Sequence, residues 1–197
     1  MIKMKYMVFI AMLFSSLAFA NDTKNYKVEI GYEYFKQDIG NVSVTPKVLT
    51  LGLSKNVTPR IALGAKFGTS LSENTSSESF RNASAGTNIE IDYVGNVESE
   101  IEIFGELFLN EGINNNFNPY LKLAISSVKS EIEVVSVVNS GASNTTTENN
   151  DSSGLIYGAG FLVGFGKAWS VKAEFADIAH DDETSATKLT FGLQRLL

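Results

Sequence analysis

The chain has 197 residues, with 16 basic against 22 acidic side chains and no cysteine. The acidic excess disfavours nucleic acid and any simple basic contact with anionic lipid surfaces. The lack of thiols excludes disulfides and thiolate metal sites, so hydrogen bonding and packing must carry the fold.

Lys3 and Lys5 precede a largely apolar run from Tyr6 to Leu17, followed by Ala18-Phe19-Ala20, a small-x-small cleavage pattern. This predicts a signal peptide over residues 1–20 and a single mature domain over residues 21–197. The run is shorter than the roughly 20 apolar residues that a spanning helix needs. Loss of Lys3 and Lys5 leaves 14 basic against 22 acidic residues, a net charge of −8. No later stretch is long and apolar enough for a helical span, so a span in the mature chain would be made of strands. No Pro-rich, Gly/Ser-rich or charged linker divides the domain. An exported chain without cysteine fits the bacterial envelope.

The mature sequence has period two almost throughout, the mark of an all-β protein. In the first run Tyr26, Val28, Ile30, Tyr32 and Tyr34 share one face, and Lys27, Glu29, Gly31 and Glu33 the other. Leu49, Leu51 and Leu53 then alternate with Val48, Thr50, Gly52 and Ser54; a turn at Lys55 to Pro59 leads to Ile61, Leu63, Ala65 and Phe67 alternating with Ala62, Gly64, Lys66 and Gly68. The two runs predict a hairpin with its apolar faces on one side, and Pro59 sits in the turn, where its missing N–H costs no ladder bond.

From Ile89 to Leu109 the odd positions are mostly apolar, while the even ones include Glu90, Asp92, Glu98, Glu100, Glu102 and Glu106. This is either one long strand reaching beyond a bilayer or a shorter strand after an ordered loop, with Gly95-Asn96 as a candidate break. A fifth strand starts near Pro119 with Leu121, Leu123 and Ile125. Its phase switches to Val128, Ile132 and Val134, which predicts a β-bulge near Ser126. Leu155, Tyr157, Ala159, Phe161, Val163 and Phe165 alternate largely with glycine; Trp169, Val171, Ala173 and Phe175 follow a turn at Gly166 to Ala168; and Leu189, Phe191 and Leu193 alternate with Lys188, Thr190, Gly192 and Gln194. The runs total eight strands.

One face carries large apolar side chains almost without charge, and the other collects Gly, Ala, Ser, Lys and Glu. Small residues suit the crowded lumen of a narrow barrel, and lipid accepts large apolar groups in any number. The connections at Lys55 to Pro59, Asn110 to Asn118 and Gly166 to Ala168 are short. Those at Lys36 to Val44, Ser72 to Asn88, Ser136 to Ser153 and Ala179 to Ala186 are longer or more polar, the asymmetry of periplasmic turns and external loops. Tyr26, Tyr34, Tyr93, Tyr157 and Trp169 are placed to form interfacial girdles.

Gly52-Leu53-Ser54 leading to Asn56-Val57-Thr58-Pro59, then Asn118-Pro119-Tyr120-Leu121, and the closing Leu189-Thr190-Phe191-Gly192-Leu193 carry a resemblance. From about Tyr26 to Leu197 the chain resembles the eight-stranded, porin-like outer-membrane barrels of the opacity-protein and outer-membrane-protein-A type. The resemblance implies an eight-stranded antiparallel up-and-down transmembrane β-barrel in the bacterial outer membrane. Outer-membrane lipid and the barrel-insertion machinery are its expected partners. No peptidoglycan-binding domain is expected after the barrel, which disfavours wall anchoring, and Leu197 stands where the family's insertion signal ends in an aromatic residue.

Gly158, Gly160 and Gly164 lack the strand-turn-helix context of a dinucleotide loop and read as small lumenal residues, so no cofactor is expected. His180 stands beside Asp181, Asp182 and Glu183, but no nucleophile motif accompanies it, and a solvated acidic loop is expected in place of a catalytic or metal site. Asn82-Ala83-Ser84 and Asn144-Thr145-Thr146 read as loop composition. The expected lumenal charge network comprises Lys27, Glu29, Lys66, Glu98, Glu100, Glu102, Glu106, Lys122, Lys172 and Glu174, because unpaired charges in a narrow interior would be expensive. Such a network either fills the barrel or lines a narrow cation path. The leading expectation is a non-enzymatic surface barrel whose loops contact an extracellular partner or which maintains the envelope. A narrow channel is the alternative, and a barrel enzyme is third.

Overall fold

The computed structural model describes residues 26–39, 42–82, 87–110, 117–138, 142–166, 168–179 and 184–197. The expected signal peptide and the His180 to Glu183 cluster lie outside the described residues. The strands are β1 (Tyr26–Ile39), β2 (Val42–Val44), β3 (Lys47–Asn56), β4 (Ile61–Ser72), β5 (Asn74–Asn82), β6 (Thr87–Phe108), β7 (Phe117–Val138), β8 (Ala142–Phe165), β9 (Trp169–Ala179) and β10 (Thr184–Leu196).

Neighbouring strands run antiparallel in the order β1, β3, β4, β6, β7, β8, β9, β10, and β10 returns to β1 from Lys27 opposite Leu196 to Ile39 opposite Thr184. These strands form a closed ring of 8. The short strands β2 and β5 stand outside the ring, β2 on the end of β1 and β5 along the first half of β6. Closure satisfies every edge within the ring, which is what a bilayer demands of a spanning sheet.

The alternation decides which face points where. Leu63, Ile103, Leu123, Ile125, Phe175 and Phe191 are exposed on the outside, whereas Lys66, Glu102, Glu106, Lys122, Lys172 and Lys188 are buried inside. At one end the strands are joined by the short segments after Asn56 and Phe165. There Gly166 has φ 70°, a left-handed backbone that glycine adopts without steric cost.

At the other end β6, β7 and β8 continue well past their ring neighbours. β7 pairs with β8 over its whole length, from Phe117 opposite Val163 to Val138 opposite Ala142, whereas β9 reaches β8 only as far as Leu155. The result is a four-stranded projection of β5, β6, β7 and β8.

Ser72 to Asn88 and Ser136 to Ser153, expected as loops, are therefore largely strand: the first holds β5 and the start of β6, the second the end of β7 and the first half of β8. Their Ser and Thr content reads as loop composition, but Thr is also a good strand former once a partner is present. The connection expected from Lys36 to Val44 likewise contains the end of β1 and all of β2.

Two other expectations change. β6 does not break at Gly95-Asn96. It carries a bulge between Val97 and Ser99, where the register to β7 shifts by one residue, and no shift occurs in β7 near Ser126. The even positions of β7 point inward from Tyr120 through Ile132. Its apparent change of phase arises because the outward positions turn from Leu121, Leu123 and Ile125 to Ser127, Lys129 and Glu131, where the lipid band ends.

Candidate functional site

The lumen is filled in layers that follow from the register. Near the short-turn end, Ala62, Phe108, Tyr120 and Leu162 pack together. Near the other end, Phe35, Val48, Val97, Val128, Ile156, Ile178 and Ala186 belong to a second apolar cluster, which Phe104, Ala124 and Ala176 extend downward. Between them lies the charged layer.

Its centre is Glu102 on β6. Lys122 approaches it at 2.5 Å, and Lys66 and Lys188 each at 3.2 Å. Lys66 also pairs with Glu33, and Lys188 with Glu100. Lys122 bridges to Glu174 at 2.6 Å; Lys172 reaches Glu106 at 2.7 Å, Glu29 at 3.2 Å and Glu174 at 3.3 Å. Neutral donors complete the layer: the Tyr120 hydroxyl donates to Glu174 at 2.7 Å, Thr190 to Glu33 at 3.1 Å and the Gln194 amide to Glu29 at 2.6 Å.

Glu102 and Glu174 are 0% and 2% exposed, and Lys172 and Lys188 2% and 1%. Charges removed this far from water are tolerated only when paired and hydrogen-bonded.

Glycine makes room for this layer. A Cβ on Gly160 would fall 2.5 Å from the Tyr120 hydroxyl and 2.6 Å from the Ala173 carbonyl oxygen. The tyrosine therefore lies against bare backbone, with its ring 5.8 Å from that of Phe108. The glycine run that superficially suggests a nucleotide loop is lumenal wall.

Of the side chains expected in the lumen, Lys27, Glu29, Lys66, Glu100, Glu102, Glu106, Lys122, Lys172 and Glu174 are all buried there. Glu98 is not: it occupies the β6 bulge and is exposed. Strict alternation carried across the bulge puts Glu98 on the same face as Glu100, but the extra residue turns it out. Lys27 stands apart from the ion pairs; its ammonium lies 4.6 Å from the centroid of the Phe108 ring, and among the described residues no carboxylate comes within ion-pair distance.

Glu33 and Lys188 were absent from the expected set, although both stand on the polar side of their strands' alternation. That signal was sufficient to find them. Tyr93, expected in an interfacial girdle, is on the inward side of the projection, opposite Val134. Tyr26 and Trp169 do face outward at the short-turn end, and Tyr34 and Tyr157 higher on the wall. Among the described residues no group of three or more His, Cys, Asp or Glu side chains is placed to hold a metal ion.

A closed ring of antiparallel strands with an apolar outer band and a filled, charged interior defines a transmembrane β-barrel. The outer membrane protein beta-barrel domain family matches residues 7–195, and the chain belongs to that family. It is a protein of the bacterial outer membrane.

Among solved structures, it is similar to Neisserial surface protein A, with a TM-score of 0.54 and 11% identity over 87% of this chain and 97% of that one. It is also similar to the attachment invasion locus protein Ail of Yersinia pestis, with a TM-score of 0.52 and 13% identity over 87% of this chain and 98% of that one. At these identities the likeness is one of fold. No curated protein matches the chain significantly. In outer-membrane barrels the short turns face the periplasm and the longer elements face outward, which puts the projection of β5 to β8 outside the cell.

Proposed function

We propose that this protein is a non-enzymatic surface barrel in which the wall is a sealed anchor and the projection of β5 to β8 is the working part, contacting an extracellular partner. The observation that carries this reading is the burial of the lumen from end to end. Phe108 and Tyr120 toward the periplasm, Glu102 and Lys172 in the middle, and Val97 and Ile156 toward the outside are all 6% exposed or less. A water-filled path would leave the side chains that line it accessible. Eight strands enclose an interior about wide enough for their own side chains, which supports the same reading. The contacts around Glu102 favour a plug of ion pairs over a row of free carboxylates for cations to follow.

The refolded protein in a planar bilayer tests this reading: no steady unit conductance is expected. Stable, cation-selective openings would overturn it in favour of a narrow channel. A Lys/Arg-specific protease added to intact cells should cut in the projection, where Lys129 is exposed on the outward face, and should leave the turn at residues 57–60, which holds the exposed Arg60, untouched. A trimmed variant that shortens β7 and β8 above Val128 should still insert but lose adhesion of the cells to a host-cell or matrix surface. Unchanged adhesion would remove the contact role and leave envelope maintenance.

A further inference from the structure

The outer wall has a second chemical feature, at its periplasmic rim. Trp169 on β9 lies opposite Arg195 on β10, Arg195 lies opposite Val28 on β1, and Tyr26, two residues before Val28, lies opposite Lys55 on β3. Four adjacent strands thus bring two cations and two aromatic rings into one outward-facing patch. The Arg195 guanidinium lies 5.3 Å from the Trp169 ring centroid and the Lys55 ammonium 5.0 Å from that of Tyr26.

Such contacts hold both cations against the wall at the depth of the interfacial aromatics. Neither cation has a carboxylate within ion-pair distance among the described residues. No Asp or Glu of the described residues faces outward on this half of the wall. The opposite end differs, with Glu131, Glu133 and Asp151 on its outward face. Outward lysines occur at that end too, but Lys36 and Lys129 are paired there with Asp38 and Asp151, whereas Lys55 and Arg195 meet rings in place of carboxylates.

We propose that Lys55, Arg195, Tyr26 and Trp169 form a docking surface for the phosphodiester headgroup of an anionic phospholipid in the inner leaflet. Charge complementarity selects this occupant. The two cations flank a site to which a zwitterionic lipid brings a compensating ammonium and an anionic one does not. The rings supply an apolar shelf for the glycerol and upper acyl chain.

Trp169 is the sole tryptophan of the chain, so its fluorescence reports on this patch alone. The full-length mature protein is refolded into phosphatidylcholine vesicles containing increasing fractions of chain-brominated phosphatidylglycerol or chain-brominated phosphatidylcholine. Quenching should show a preference for phosphatidylglycerol that exceeds about fivefold, the factor expected for each basic residue engaged near an anionic surface. Lys55→Gln should reduce the preference while leaving the Arg195 and Trp169 pair intact, and the double variant K55Q/R195Q should abolish it. Lys36→Gln, at the opposite end of the wall, should leave it unchanged. Equal quenching by the two lipids, or a preference that persists in K55Q/R195Q folded by the criterion of gel mobility, would overturn the proposal. So would an equal loss in K36Q, which would mark a general charge effect.

Discussion

The same three strands, β6, β7 and β8, live in two surroundings, and the contrast between their halves explains how the barrel is built. In the lower half the outside is Ile101, Ile103, Leu121 and Leu123, and the inside is Glu102, Glu106 and Lys122. In the projection the outside is Glu131 and Glu133, and the inner face carries Ile132 and Val134. From Glu131 to Val134 the polarity of the two faces is reversed although β7 itself keeps one unbroken alternation, and above them Val135 and Val137 share the outward face with the two acids. The medium outside the strand changes from hydrocarbon to water, and the inner side changes from a confined lumen to an open sheet face. A strand's pattern therefore reports what lies on each side of it at that height.

Substitutions in the two halves should differ in size accordingly. The largest effect belongs to the ion-pair layer. Glu102→Gln removes the one carboxylate that touches Lys66, Lys122 and Lys188, and breaking a buried pair by removing one partner costs on the order of 3 to 5 kcal/mol. Urea unfolding in lipid vesicles should show this loss for E102Q and for E102Q/E106Q, with no conductance gained. Near-wild-type stability combined with altered ion selectivity would instead make the layer a conduction path. Glu100, whose ion pair is with Lys188, should give a smaller loss as E100Q.

The lipid face comes next. Leu51 lies opposite Ile30 and Phe67 in the middle of the outer wall, and Leu51→Arg or Phe161→Arg should cost on the order of 2 to 4 kcal/mol near the bilayer midplane. Correct insertion and unchanged heat-modifiable mobility in Leu51→Arg would show that this face does not meet lipid.

Overfilling the lumen should cost somewhat less. Gly160→Ala drives a methyl group into the Tyr120 hydroxyl and the Ala173 carbonyl, and a loss of about 1 to 3 kcal/mol is expected. Tyr120→Phe combined with Gly160→Ala should not recover it, since the ring carbon Cζ and the Ala173 carbonyl each still lie 2.6 Å from the added methyl and Glu174 loses its hydroxyl donor. The smallest effect is reserved for the projection: Val135→Arg, on its outward face, should change stability by less than about 0.5 kcal/mol. A cost like that of Leu51→Arg would extend the lipid band up the projection and erase the contrast.

Much of the architecture is legible in the sequence because period two is a local property. Leu49, Leu51 and Leu53 declare one face without reference to any other strand, and the runs of large and small side chains tell lipid from lumen. Lys27, Glu29, Lys66, Glu106, Lys122, Lys172 and Glu174 could be assigned to the interior in the same way. Glu33 and Lys188 obey the same rule and could have been added by applying it to every strand.

Other features are not local. The bulge that expels Glu98 exists only in the pairing of β6 with β7. Residues 136–138 and 142–153 become strand because β7 and β8 supply each other's hydrogen-bond partners. Which Lys meets which Glu depends on the curvature that brings β1, β4, β6, β7, β9 and β10 around a common centre. Net charge is the sharpest case, since an overall value of −6 argues against contact with anionic lipid. That value is a sum over the chain, and only closure of the ring sorts the charges, taking many of the acids into the lumen and the projection and leaving Lys55 and Arg195 together at the periplasmic rim. The faces of the strands follow from residue order alone, because alternation needs only the chain. Their neighbours do not, because partners across a barrel are set by register and closure.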